Sequence, residues 1–191
     1  IYTISDPVIG DGRLILTALA MSDEEGLILK ADITGVPENC QLLTVYGGAS
    51  NEIFRRSGEL NIDPADCFFL KPENCKNNEF VIRDQSFSLK YGSKSLVPEG
   101  TLTDNAIIEQ SQELLGTLPA RSVLSVKEAG DAVTPFMLIK STGQVKLPVL
   151  CAQTNLSDKQ TFYLSFHKPK TKQFLSEEEL PGIFEKSEKT R

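Results

Sequence analysis

The sequence predicts an all-β chain folded as an antiparallel β-sandwich with little helix. Three observations carry that expectation. Short strand-like segments recur along the chain, turn residues punctuate them, and neither an internal repeat nor the strand–helix alternation of a βαβ fold is present. One sandwich is an ordinary use of 191 residues. Apolar content of 40% beside 24% charged residues gives enough material for a core and argues against disorder.

The elements follow in order. Arg13 to Ala20, RLILTALA, is apolar on both faces and follows the turn Gly10 to Gly12, which predicts a central, doubly covered strand. Leu27, Leu29, Ala31 and Ile33 alternate with Ile28, Lys30 and Asp32, the pattern of a half-buried strand paired with the first. QLLTVYGG, from Gln41, is a third strand ending at Gly47 and Gly48. Farther on, a two-residue turn at Asp84 and Gln85 sets Phe80 opposite Leu89 and Ile82 opposite Phe87, so all four share one face. A slip of one residue would scatter them over both faces.

From Thr103 to Gly116 the chain admits a short helix capped by Thr103 or Asp104, or a strand pair broken at Ser111; the β context favours strand. Arg121 to Lys127, Pro135 to Lys140, Gln144 to Ala152 and Gln160 to His167 complete the strand set. In the last, Phe162, Leu164 and Phe166 point one way. Pro148 cannot donate to a ladder and marks an edge or a bulge. Residues 1–175 thus form the sandwich domain. Residues 176–191 are charged, carry a capping-box pattern from Ser176 to Glu179, and are interrupted by Pro181 and Gly182; they read as a linker or docking segment outside the core.

Charge and hydropathy exclude some partners. A net charge of −6 with scattered basic residues argues against nucleic acid, which demands clustered Lys and Arg. No run approaches the ~18 apolar residues of a membrane span, so no membrane insertion is expected. The opening IYTISDPVIG has neither a basic n-region nor an apolar h-region, and it starts on Ile1, as expected of a processed form or a piece of a longer polypeptide.

The stretch from Val45 to Ile82 departs from generic β-sequence: it holds the Gly pair, Arg55 and Arg56, alternating acids, two Pro turns, and Cys67 and Cys75. Its chemistry is that of a contact surface. Arg55 or Arg56 could fork onto a carboxylate or a sugar diol, although a structural bridge to Glu59 or Asp63 is the plainer use. Glu59, Asp63, Asp66 and Glu73 could pair as glycosidase carboxylates do, but any acidic loop of this length allows it. Asn61, Asp63 and Asp66 lack the ligand count and glycine of a calcium loop, and a capped turn around Pro64 explains them better. Gly47 and Gly48 lack the Lys and spacing of a phosphate loop and serve a tight strand exit.

No CxxC occurs among Cys40, Cys67, Cys75 and Cys151, and His167 is the single histidine, so neither a metal nor a cofactor is expected. Buried free thiols are favoured; a Cys67–Cys75 bridge is the alternative in an exported protein. His167 has Tyr163 and Ser165 on its own face but no nucleophile elbow, and reads as an exposed strand-end residue. No catalytic residue is assigned. The absence of Trp argues against an independent carbohydrate-binding module, which commonly offers flat aromatic platforms.

With those residues laid out, VYGGASNEIFRRSGELNIDPADCFFLKPENCKNNEFVI followed by SFSLKYG resembles a segment of a large family of bacterial proteins typical of gut Bacteroidetes, whose members resemble glycoside hydrolases. The resemblance is strongest from Tyr46 to Gly92 and thinner over the flanking strands. It implies a galactose-mutarotase-like β-supersandwich that precedes an (α/α) toroid of the same polypeptide, in a periplasmic or exported protein. The catalytic acids of such proteins normally reside in the toroid, so this chain would be a non-catalytic accessory domain, with Arg55, Arg56, Glu59 and Asp63 as candidate ligand or interdomain contacts. The chain departs from true mutarotases, which use a pair of histidines with an acid, because only His167 is present. Two other readings remain: a free-standing glycan-binding or adhesion module, and a small hydrolase using the carboxylates of the same loop.

Overall fold

A computed structural model of the chain describes residues 1–49, 70–92, 112–170 and 173–190. Its most local feature is the hairpin at Asp84, whose φ of 51° lets the chain reverse in the left-handed region. The flanking strands β5 (Glu79–Arg83) and β6 (Ser86–Tyr91) pair Phe80 with Leu89 and Ile82 with Phe87, the expected register. All four side chains join the main core.

The remaining strands build outward from that hairpin. They are β1 (Tyr2–Ile4), β2 (Arg13–Ala20), β3 (Glu25–Thr34), β4 (Gln41–Tyr46), β7 (Gln112–Thr117), β8 (Val123–Glu128), β9 (Pro148–Asn155) and β10 (Thr161–Lys168). Among the described residues they form two antiparallel sheets, a seven-stranded one ordered β1-β2-β3-β10-β7-β6-β5 and a three-stranded one ordered β4-β9-β8. Apolar residues at alternate positions face each other between them. Leu14, Ala31, Ile33, Phe87, Leu89, Phe162 and Leu164 of the large sheet meet Leu150 and Ala152 of the small one. The architecture is therefore an antiparallel β-sandwich with little helix.

Several local expectations change. The strand Arg13–Ala20 is second from an edge, not central, because a three-residue β1, too short to announce itself, pairs Tyr2 with Leu16 outside it. Its two faces are nonetheless both used: Leu14 enters the main core and Leu19 a second cluster on the opposite face. On β3 the expected contrast inverts at one step, since Leu27 is 40% exposed and Ile28 is 0% exposed. Three strands spaced about 4.8 Å apart cannot roof seven, which leaves Leu27 at an open margin. Ile28, on the outer face, is instead covered by the C-terminal segment.

Pro135–Lys140 is a helix, α1, where a strand was expected. Thr134 caps it, its Oγ1 accepting from the Met137 backbone N–H at 3.2 Å, and Pro135 fits the first turn, where its missing N–H costs nothing. At the other end Lys127 Nζ donates to the carbonyls of Ile139 and Ser141, at 3.2 and 2.8 Å. Pro148 marks neither an edge nor a bulge. It is the first residue of the central strand β9, a position where no ladder donor is lost. Of Thr103–Gly116, residues 112–116 are in strand β7; 103–111 lie outside the described residues.

The C-terminal segment does not stay outside the core. Ser176 N–H donates to Glu179 Oε2 at 2.7 Å in the expected capping box, and the chain continues as α2 (Leu180–Lys189). Leu180, Phe184 and Ser187, spaced to fall on one helix face, are buried. Leu180 and Phe184 pack with Leu19, Met21 and Ile28 on the outer face of the large sheet, so these tail residues help hold this sandwich.

Candidate functional site

The stretch singled out in the sequence begins where β4 ends. After Tyr46, Gly47 and Gly48 take the chain away from the sheet, with Gly48 at φ 73°. A Cβ on Gly48 would lie 2.9 Å from Leu70 Cδ1, so the exit at Ala49 and the return at Leu70 are pressed together there. Asn78 fastens them. Its Oδ1 accepts from the Gly48 N–H at 3.1 Å, and its Nδ2 donates to the Ala49 carbonyl at 2.6 Å and to the Asn74 carbonyl at 3.4 Å. Asn78 is 3% exposed, and its own N–H donates to the Cys75 carbonyl at 3.0 Å, tying it to the 3-10 turn Pro72–Cys75. A buried amide fully used in this way fixes backbone positions because each lost bond would strand a polar group.

Asn78 leads directly into β5, whose Glu79 pairs with Lys90 of β6, while Tyr91 of β6 pairs with Gln112 of β7. Ala49 and Leu70, and likewise Gly92 and Gln112, therefore lie at one end of the sandwich. Beside that end lies an open groove of about 540 Å³, lined among others by Val45, Gly48, Leu70, Thr134, Pro135 and Leu138. One wall is the outer face of β4 and the other is α1.

Tyr46, which lines the groove, and Cys75 are both held toward their neutral forms. Burial, aided by the nearby Tyr91, pushes the Tyr46 phenol up to about 12. Burial likewise raises the Cys75 thiol, against a lowering hydrogen bond from the Gly48 backbone. Glu128 stays ionised, its carboxyl held below the usual range chiefly by the Lys146 N–H and also by the Leu147 and Gly130 N–H groups, at 2.6, 3.1 and 3.3 Å. Its lone pairs are spent on backbone. Among the described residues no group of three His, Cys, Asp or Glu side chains comes together as a metal site. What the groove offers is apolar wall and backbone polar groups, a surface for contact.

The candidate contacts Arg55, Arg56, Glu59 and Asp63 lie outside the described residues, as do Asn61, Asp66 and Cys67. Glu73 sits exposed on the 3-10 turn. Cys75 and Cys151 are buried free thiols, and Cys40 is a half-buried one. His167 is not exposed: it is 2% exposed, on the outer face of the large sheet. Burial lowers its pKa, against raising contributions from Glu24 and the Gln173 backbone. Ser165 Oγ and His167 Nδ1 share that face but make no hydrogen bond to each other, so they form no nucleophile–base pair. Sequence reasoning passed over Asn78 because Asn77–Asn78 before a strand looks like an ordinary turn, and passed over the Thr134–Leu138 wall because the segment was assigned to a strand.

Fold and site together define an antiparallel β-sandwich whose two long connections start and finish at one end. Over residues 1–188 the chain matches the family model described as Domain of unknown function (DUF4450), and it belongs to that family. Comparison with curated proteins finds no match.

Proposed function

We propose that the chain is a non-catalytic N-terminal β-sandwich domain of a bacterial carbohydrate-active, glycoside-hydrolase-like protein, built on a galactose-mutarotase-like supersandwich and exported from the cytoplasm. In this reading it packs on a catalytic (α/α) toroid of the same polypeptide and lends the loop bearing Arg55, Arg56, Glu59 and Asp63 to the substrate cleft. The observation that supports it most is that Ala49, Leu70, Gly92 and Gln112, which flank the connections 50–69 and 93–111, lie at one end of the sandwich, since binding surfaces concentrate on loops held by a rigid scaffold. The groove at that end is lined by Leu43, Val45, Leu70 and Leu138 together with Thr134 and the Gly47–Gly48 backbone, and no carboxylate is among its lining residues, which suits contact better than catalysis. Purified chain incubated with a panel of glycans should release no reducing ends. Turnover that disappears in Glu59→Gln or Asp63→Asn would overturn the reading.

A free-standing glycan-binding or adhesion module is the second reading, favoured by the same groove and by the presence of Arg55 and Arg56 in the sequence that follows β4. Calorimetry against the glycan panel separates the two. Binding by the isolated chain that weakens in Arg55→Ala or Arg56→Ala supports the module, and no binding to any glycan counts against it.

A further inference from the structure

Four polar side chains on the outer face of the large sheet lie in one cross-strand row. Arg83 of β5 pairs with Ser86 of β6, Ser86 with Thr117 of β7, and Thr117 with Ser165 of β10. The segment 174–178 is tied over this row. Thr117 Oγ1 donates to the Leu175 carbonyl at 2.8 Å, and the Ala120 N–H donates to Glu177 Oε1 at 2.8 Å. At one end of the row Thr117 and Ser165 are buried, and Ser165 Oγ has no hydrogen-bond partner. At the other end Arg83 is exposed, and a groove of about 350 Å³ opens between the Asp84 hairpin and residues 174–178.

We propose that this groove binds a neutral polyhydroxylated ligand, a saccharide unit, with Arg83, Asp84 and Glu178 as its hydrogen-bonding residues. Arg83 lies over the Phe174 ring, 5.3 Å from its centroid, and the ring holds the planar guanidinium at the groove. Among the described residues the side chains of Arg83, Asp84 and Glu178 form no hydrogen bond or ion pair, so a donor fork and two carboxylate acceptors stand side by side with their capacity unspent. An anion placed there would face the carboxylates of Asp84, Glu177 and Glu178, and a cation would leave the Arg83 fork unanswered. Vicinal hydroxyls answer both, because each accepts from the guanidinium and donates to a carboxylate. The volume is near the lower end of the ~300–1,000 Å³ of ligand clefts and suits a short saccharide, not a long chain laid in register. No described residue lines both this groove and the one beside α1, and the inference rests on neither reading of that groove.

NMR on the full chain tests this with methyl glucoside, methyl galactoside and methyl mannoside as neutral probes and with glucuronate and glucosamine as charged ones. At least one neutral probe should show saturation transfer, with a dissociation constant on the order of millimolar, and should shift the backbone amides of Asp84, Gln85 and residues 174–178. Arg83→Ala and Glu178→Ala alter exposed side chains, so the variants should stay folded, and each should weaken that binding about tenfold, the effect of losing one hydrogen bond to a charged group. No saturation transfer to any neutral probe at concentrations up to about 50 mM overturns the proposal. So does binding that survives both substitutions, or tighter binding of glucuronate or glucosamine than of the neutral sugars. The glycan-binding module reading expects weakening in Arg55→Ala or Arg56→Ala, whereas this site expects those variants to bind as wild type, so either can fail while the other stands.

Discussion

Tyr46 lies flat on Phe166, the ring centroids 4.6 Å apart and the planes 11° from parallel. Tyr46 ends β4 of the small sheet and Phe166 is on β10, the middle strand of the large one, so this contact joins the two sheets where β4 ends. Phe87 adds tilted contacts to both rings, at 5.8 and 6.2 Å. Removing the Tyr46 ring should therefore cost more than an average core truncation. Tyr46→Ala is expected to lower unfolding free energy by about 3–5 kcal/mol and Tyr46→Phe by less than about 1 kcal/mol, because the ring does the packing. Urea denaturation of both variants checks this, and equal losses would show that the hydroxyl matters instead.

Gly116 sits opposite both Phe87 and Phe166 in the ladder. A Cβ there would fall 2.2 Å from Phe87 Cε1, a distance no ring can tolerate without moving. Gly116→Ala should destabilise by about 1–3 kcal/mol, the usual cost of overpacking. Gly143, which has no atom within 4 Å of its added Cβ, is the control, and its alanine variant should lie within about 0.5 kcal/mol of wild type. Thermal melts of the pair give the comparison.

The pH dependence of stability should carry a signature of His167. Burial lowers its pKa below the ordinary 6.5, so the folded chain holds the proton more weakly than the unfolded chain does. Its neutral form contributes fully above about pH 6.5, and that stability is lost as pH falls below this value toward the depressed folded pKa. Urea midpoints measured from pH 7.5 to 5 should decline in wild type, and His167→Gln should show a shallower decline over the same interval. Parallel profiles would remove His167 from the account, and an NMR titration of the imidazole gives the direction of the shift independently.

What could be read in advance followed the range of the physics. The Asp84 hairpin was legible because turn, alternation and register are set within a dozen residues and agree. PFMLIK at Pro135 was not legible from its pattern, since a six-residue apolar run fits a strand or a buried helix turn, and the decisive signal was the cap Thr134 followed by Pro135. His167 and Ile28 were misjudged together, because the burial of the outer face depends on packing by the segment around α2 that a charge-rich composition placed outside the core. Of the candidate site, the Gly47–Gly48 exit was legible as a turn. Asn78 was not, because a buried amide that ties two distant backbones has the same sequence signature as an exposed turn residue.

That outer face yields the last prediction. Phe184 of α2 meets Tyr163 edge-on at 5.6 Å and is buried with Leu180 against Leu19, Met21 and Ile28. The helix is further tied by Lys186 to Asp23 at 2.6 Å and by the Ser22 N–H to Ser187 Oγ at 3.2 Å, both at the β2–β3 turn. The ion pair is exposed and worth at most about 1 kcal/mol, whereas the buried ring should carry several times that. Phe184→Ala is therefore expected to destabilise by about 3 kcal/mol, and Lys186→Ala by no more than about 1 kcal/mol with the difference shrinking in high salt. If residues 176–190 were merely a linker, both variants would match wild type in a denaturant titration. If they are part of the sandwich, only the ring will register strongly, and hydrogen exchange at Ile28 and Tyr163 will quicken with it.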